Sequence, residues 1–136
     1  MTERNILIVK TSWSQVIAQP ENPAVMFYDQ LFTVAPCLKN MFQSDMESQI
    51  GKLTDMITYM VTKLQKMDDI QSEIAALAKR HAKYGTRPEH YQIVGEVLIS
   101  TLKQSLGNSW DDQTRDAWTE LYNIWSTSMI EAAEES

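Results

Sequence analysis

The feature that most constrains the fold is a stretch, residues 70–84, whose inward side chains recur at the period of an α-helix. Steps of four, three, four and three separate its inward positions, Ile70, Ile74, Leu77, His81 and Tyr84. Side chains with these spacings share one helix face. Asp68 and Asp69 suit the start of such a helix, and Gly85 suits its end. His81 is therefore predicted to lie on the stripe that faces the core.

An imidazole on an inward stripe needs a partner for each of its ring nitrogens. It can be a core histidine satisfied by hydrogen bonds, or one of its nitrogens can bind a metal. The helical period alone leaves both interpretations of His81 open.

Length and composition indicate a globular protein. The chain has 136 residues, so we expect one domain, residues 1–136, with a sizeable core. Hydrophobic residues make up 43% and charged residues 22%, which argues against a disordered chain. The net charge of -6 argues against nucleic-acid binding, because phosphate contacts need a cationic patch.

Several classes of site are disfavoured because their motifs do not occur. No apolar run approaches the roughly 18 residues of a membrane span, and the N-terminus lacks a signal-peptide pattern. Cys37 is the single cysteine, so an internal disulfide is excluded and a cytoplasmic location is expected. Cysteine–histidine motifs for structural zinc or covalently attached haem are missing. The glycines are scattered, and no catalytic residue is predicted.

The remaining periodicity predicts an all-α fold with about seven helices. Besides the His81 helix, helices are predicted over residues 4–18, 23–35, 37–42, 46–65 and 88–106, with a last one after 112. Gln49 begins the otherwise apolar inner stripe of the fourth of these. Tyr91 and Val94 lie on the inner stripe of the fifth, whereas His90, near its start, is expected to be exposed.

Segments spread over nearly the whole chain, in the same order, resemble the globin family. The resemblance is to bacterial single-domain haemoglobins and to the haem domain of flavohaemoglobins. It rests on residues 27–32 with Pro36 and Phe42, and on residues 49–53, 80–85, 88–95 and 116–118. It implies a globin fold of seven to eight helices around a pocket for haem b, iron-protoporphyrin IX.

The resemblance also assigns three residues that would act directly at the iron and its gas ligand. His81 matches the proximal ligand, since a neutral imidazole binds iron and leaves the opposite axial position open. Tyr28 and Gln49 match a distal tyrosine and glutamine. Both can donate hydrogen bonds to dioxygen, which carries partial negative charge when bound.

Further contacts to haem follow from the same resemblance. Phe42 would pack on the porphyrin face, Leu53 would line the distal pocket, and Tyr91 and Val94 would lie on the proximal side. Lys52, Arg80 and Tyr84 are candidates for the propionate side. Tyr91 matches the tyrosine of a tyrosine–glutamate pair that supports the proximal histidine in flavohaemoglobins. Ala133 stands in place of the glutamate, with Glu131 and Glu134 nearby, which weakens the prediction of a strongly electron-donating histidine.

Three functions are compatible with this pattern. The leading one is reversible binding of dioxygen and of other diatomic gases, carbon monoxide and nitric oxide. The second is a nitric oxide dioxygenase that works with a separate reductase, because the sequence holds no recognisable flavin or nicotinamide domain. A gas sensor or a haem-free interaction module is the third, although a haem-free module has no need for polar groups such as His81 and Gln49 on inner faces.

Overall fold

The computed structural model describes residues 1–41, 45–65, 71–83 and 86–134, and all regular structure in these ranges is helical. The six α-helices are α1 (Glu3–Ile17), α2 (Pro23–Val34), α3 (Met46–Thr62), α4 (Gln71–Lys83), α5 (Pro88–Leu106) and α6 (Asp112–Glu134). Among the described residues, 3₁₀ helices lie at Pro36–Met41 and Gly107–Ser109. The prediction of an all-α fold is confirmed, although α3 ends at Thr62 rather than at residue 65.

Short polar residues begin the helices where the sequence offers them. The Asn22 side chain accepts a hydrogen bond from the Ala24 N–H at 2.9 Å, with Pro23 as the first helical residue. Asp45 accepts the Ser48 N–H at 2.9 Å, and Asp111 accepts the Thr114 N–H at 2.8 Å. Each cap satisfies a backbone donor that has no partner inside the helix.

Two tryptophans attach α1 to its neighbours. Trp118 of α6 is fully buried, and its indole N–H donates to Ser12 Oγ at 2.8 Å. Trp13 of α1 donates to Thr58 Oγ1 of α3 at 3.0 Å, and the two indole rings lie 6.0 Å apart. The buried indoles thus contribute apolar area while their polar atoms are satisfied.

A glycine allows α5 and α6 to approach closely. A Cβ added at Gly95 would lie 2.5 Å from Cε2 of Tyr122. The Tyr122 hydroxyl donates to the Tyr91 carbonyl at 2.6 Å. The helix contacts also join α4 to α6 and α2 to both α3 and α5, so a space is enclosed between these helices. In the described ranges, no helix has the length and apolar character needed to cross a bilayer.

Candidate functional site

A largely apolar cavity of about 240 Å³ lies between five of the helices. Aliphatic side chains and methionines form most of its lining, including Leu31, Leu38, Met41, Leu53, Met56, Met60, Leu77, Val94 and Met129. Polar or titratable groups interrupt this lining at Tyr28, Gln49, His81, Thr86, His90, Tyr91, Tyr122, Trp125 and Ser126. An apolar cavity with a few polar groups is the usual form of a small-molecule or cofactor site.

The half-buried imidazole of His81 is held by its own helix. Its Nδ1 lies 2.8 Å from the carbonyl oxygen of Leu77, one turn earlier in α4. Because a carbonyl oxygen can only accept, Nδ1 carries the proton and Nε2 presents a lone pair. Burial lowers the pKa of His81, and the charge of Arg80 lowers it further, against a rise caused by the Leu77 hydrogen bond. Neutral His81 therefore has one unprotonated ring nitrogen, Nε2, on a side chain that lines the cavity.

Tyr91 of α5 lies beside the imidazole without bonding to it. The His81 and Tyr91 rings are 6.5 Å apart and inclined by 27°. Burial raises the pKa of Tyr91, so its phenol stays protonated at neutral pH. Ala133 packs against the core and Glu131 is exposed. The Glu134 side chain lies outside the described part of the structure, so the weakened expectation of a Tyr91–glutamate pair stays untested.

Tyr28 of α2 brings a phenol to the same cavity. It is buried and packed edge-on against Phe27, with ring centroids 5.2 Å apart, and stacked on Phe32 at 5.8 Å. Burial raises the pKa of Tyr28 to about 12. The aromatic neighbours fix the ring, and the raised pKa keeps the hydroxyl protonated and able to donate.

α3 contributes Gln49 and Leu53 to the cavity, one turn apart and both half-buried. The cap at Asp45 fixes the start of this helix, so Gln49 lies in its first turn. The structure thus brings together six residues that the sequence and the resemblance had assigned to one site: Tyr28, Gln49, Leu53, His81, Tyr91 and Val94.

Other predicted residues lie elsewhere or outside the described ranges. Lys52 and Arg80 are exposed and, unlike Val94, do not line the cavity. Their contact with a propionate stays a prediction. Phe42 and Tyr84 lie outside the described residues, as do Asp68, Asp69 and Gly85 at the predicted ends of the His81 helix.

Sequence reasoning did not assign to the site five polar residues of the lining: Thr86, His90, Tyr122, Trp125 and Ser126. His90 was expected to be exposed, but it is half-buried and lines the cavity. The turn after α4 folds back, since the Thr86 N–H donates to the His81 carbonyl at 3.1 Å. The sequence signal for a short turn was Pro88, which marks the start of α5.

An all-α fold whose apolar cavity is lined by imidazole, phenol and amide groups is typical of a small helical protein that binds a ligand or cofactor. The family model described as Globin matches residues 25–129. The chain belongs to the globin family, and its helical fold is the globin fold.

Known proteins give the same result. A flavohemoprotein from Rhizobium meliloti is 29% identical over 90% of this chain, but the chain spans only 31% of that protein's length. An anaerobic nitrite reductase from Gossypium hirsutum is 26% identical, with 89% of this chain and 83% of the relative covered. The solved structure of a bacterial globin from Campylobacter jejuni superposes with a TM-score of 0.84, at 25% identity, over 98% of this chain and 97% of that one.

Proposed function

We propose that this globin binds haem b through His81 and reversibly binds dioxygen and other diatomic gases beside Tyr28 and Gln49. The observation that carries the proposal is the state of His81. Its Nδ1–H is donated to the Leu77 carbonyl, and its Nε2 lone pair belongs to a side chain that lines the cavity. This is the arrangement by which a neutral imidazole binds a metal.

The residues present suit a porphyrin. His81 supplies one axial nitrogen, and the surrounding leucines, methionines and Val94 supply apolar surface for a flat macrocycle. When bound, the haem iron would supply the coordination position for a gas. The apolar lining would exclude water, which favours reversible binding over oxidation of the iron.

Tyr28 and Gln49 would act on the gas itself. Dioxygen acquires partial negative charge when it binds, so donors from the α2–α3 side would stabilise it. Hydrogen bonds to charged groups contribute about 1.5–3 kcal/mol, or roughly tenfold or more in affinity. Carbon monoxide is less polar and should gain less from the same donors. Nitric oxide is the third diatomic ligand that we propose.

The absorption spectrum of the purified protein, with added hemin if needed, tests haem binding most directly. We expect a Soret band that shifts on reduction and again with carbon monoxide. A chain that stays colourless and takes up no hemin would defeat the proposal.

The proximal assignment is tested by His81→Ala, which should abolish tight haem retention because the axial nitrogen is lost. The control for the spectrum is His90→Ala, which removes the other imidazole that lines the cavity; haem that stays bound should keep an axially ligated spectrum, whatever its rate of loss. Normal retention and an unchanged spectrum in His81→Ala would reject His81 as the ligand.

A nitric oxide dioxygenase is the second candidate, supported by the likeness to flavohemoproteins. Such an enzyme converts nitric oxide and dioxygen to nitrate while an electron is supplied by a reductase, here proposed to be a separate protein. Rapid mixing of the oxygenated protein with nitric oxide, followed by a search for a reductase that restores the ferrous state, distinguishes it. Rapid nitrate formation with sustained turnover favours the enzyme, and failure to re-reduce favours reversible binding.

We also propose that residues 1–136 form one globin domain in the cytoplasm. The packing of α1 against α6 through Ser12 and Trp118 supports the first point, because α1 lies before the matched segment and yet shares its core. The unpaired, exposed thiol of Cys37 supports the second, since such thiols persist in reducing compartments.

A further inference from the structure

The ring of His90 is fixed in one tautomer by the start of α5. The backbone N–H of Arg87 donates to His90 Nδ1 at 3.0 Å. In return, the backbone N–H of His90 donates to the Arg87 carbonyl at 2.9 Å. A nitrogen that accepts a hydrogen bond must present its lone pair. The ring proton of neutral His90 therefore lies on Nε2, so this nitrogen can only donate.

Among the residues that the structure describes, none accepts a hydrogen bond from His90 Nε2. His90 is half-buried and lines the cavity, as does Thr86, which precedes it in the same turn. The turn between α4 and α5 thus carries an N–H and a hydroxyl to the boundary between the apolar cavity and water.

The charge around this turn favours an anion. Arg87 is exposed at the start of α5, and Arg80 is exposed near the end of α4. Arg80 is close enough to His81 for its charge to act on that imidazole. Glu89 is also exposed on the turn and opposes them with one negative charge. An N–H donor at such a boundary suits a carboxylate, which must stay hydrated while its hydrophobic body is buried.

We propose that His90 Nε2–H donates to a propionate carboxylate of the porphyrin, with the Thr86 hydroxyl as a second donor. This inference rests on the proposed haem function. His90 would be a positioning residue that sets how the macrocycle is seated and how slowly it leaves. It would share the propionate side with Lys52 and Arg80, the exposed candidates from the sequence, but it alone among these three lines the cavity.

The experiment compares two porphyrins that differ only at the carboxylates, hemin and hemin dimethyl ester. Each is loaded into the protein, and its transfer to an excess of a haem-scavenging globin is followed by Soret absorbance. The main variant is His90→Glu, because glutamate at this helix position still accepts the Arg87 N–H but repels a propionate. We expect hemin to leave His90→Glu about tenfold faster than the parent protein, whereas loss of the dimethyl ester should be unchanged.

Two further variants refine the comparison. His90→Gln keeps an acceptor for the Arg87 N–H and also offers an amide donor, so its rate of hemin loss should fall between those of the parent and His90→Glu. Thr86→Val should speed hemin loss by a smaller factor, again without effect on the ester. Equal acceleration with both porphyrins, or none with hemin, would overturn the carboxylate contact and leave His90 as a helix cap only.

A measurement on the unmutated protein covers the case in which His90→Glu does not fold. Zinc protoporphyrin and its dimethyl ester are diamagnetic, so the His90 Nε2–H proton can be sought by NMR. It should be protected from exchange with the free acid and unprotected with the ester. Equal protection overturns the inference. A chain that takes up no porphyrin overturns the haem proposal as well, whereas uptake with rates independent of residue 90 overturns the carboxylate contact alone.

Discussion

The two sides of the cavity differ in what their polar groups bond to. On the α4–α5 side, two of them bond to backbone carbonyls: His81 to Leu77 at 2.8 Å, and Tyr122 of α6 to Tyr91 of α5 at 2.6 Å. On the α2–α3 side, Tyr28 and Gln49 bring a protonated phenol and an amide to the cavity lining. Under the proposed function, the first side would hold the imidazole and two helices in place, and the second would offer hydrogen bonds to a small ligand.

This difference suggests where the ligand chemistry is set. A carboxylate acceptor makes a metal-bound imidazole more basic, whereas a neutral carbonyl does so less. His81 has the neutral acceptor, and Ala133 occupies the position where the resemblance expected a glutamate. We therefore expect the rates of gas release to be controlled chiefly by the α2–α3 side.

The largest effect is expected for Tyr28→Phe. It removes one hydrogen bond to a partly charged ligand, so dioxygen should dissociate about tenfold faster, with a smaller change for carbon monoxide. Stopped-flow or flash-photolysis kinetics on the haem-loaded protein measure both rates.

The matched control is Tyr91→Phe, the same substitution on the other side of the cavity. It should leave dioxygen release unchanged. If Tyr91→Phe accelerates release as much as Tyr28→Phe does, the two sides are not functionally distinct and the comparison fails.

A second contrast compares the space around two helical glycines, Gly95 and Gly51. Gly95→Ala places a methyl group 2.5 Å from the Tyr122 ring, so the tyrosine must move and its bond to the Tyr91 carbonyl must weaken. Overpacking of this kind costs about 1–3 kcal/mol. Gly51→Ala, in α3, meets nothing within 4 Å and should stabilise by roughly 0.5–1 kcal/mol through helix propensity. Urea unfolding of both variants checks the opposite signs, and equal effects would show that Tyr122 adapts freely.

A smaller effect is expected for Gln49→Leu. Gln49 is only half-buried, so water competes for its amide, and an ordinary hydrogen bond contributes about 0.5–1.5 kcal/mol. Dioxygen release should therefore quicken by about threefold. Gln92→Leu, which changes an exposed glutamine of α5 away from the cavity lining, is the control. A Gln49→Leu effect as large as that of Tyr28→Phe would contradict this ranking.

The sequence predicted those parts of the site that local spacing and family pattern determine. His81 shares a helix stripe with Leu77 and Ile74, and this spacing alone predicted that it faces the core. Tyr28 and Gln49 followed from the resemblance. The burial of His90 did not, because it depends on the turn that folds back from Thr86 to the His81 carbonyl. This hydrogen bond joins residues five apart at the end of α4, and the periodicity of the helix does not predict it.

The same limit applies to the contact between α5 and α6. Gly95 could be read as a weak helix former, but its role depends on a ring that lies 27 positions later (122 − 95). Helix ends were also less certain than helix faces. The Lys63 N–H bonds to both the Tyr59 and Val61 carbonyls, which tightens the last turn of α3 before residue 65.

At physiological pH the smallest effect is expected for the buried phenols of the two sides, because their titration changes the folding stability only at alkaline pH. Burial raises the pKa of Tyr28 to about 12. Burial also raises the pKa of Tyr122, and the charge of Tyr91 makes a smaller contribution in the same direction. The folded protein therefore holds these protons above the ordinary value of 10.0 at which the unfolded chain releases them. The contribution of these phenols to stability should be constant well below pH 10 and fall as the pH rises toward 12.

Urea unfolding midpoints measured at increasing alkaline pH test this expectation. Tyr28→Phe and Tyr122→Phe should each flatten the decline, because each removes one phenol whose ionisation opposes folding. Tyr59→Phe, at an exposed position of α3, is the matched control and should follow the parent protein. A parent protein whose stability does not change with pH in this range would mean that the phenols reach water in the folded state. The α2–α3 donor would then lose the protection on which its role depends.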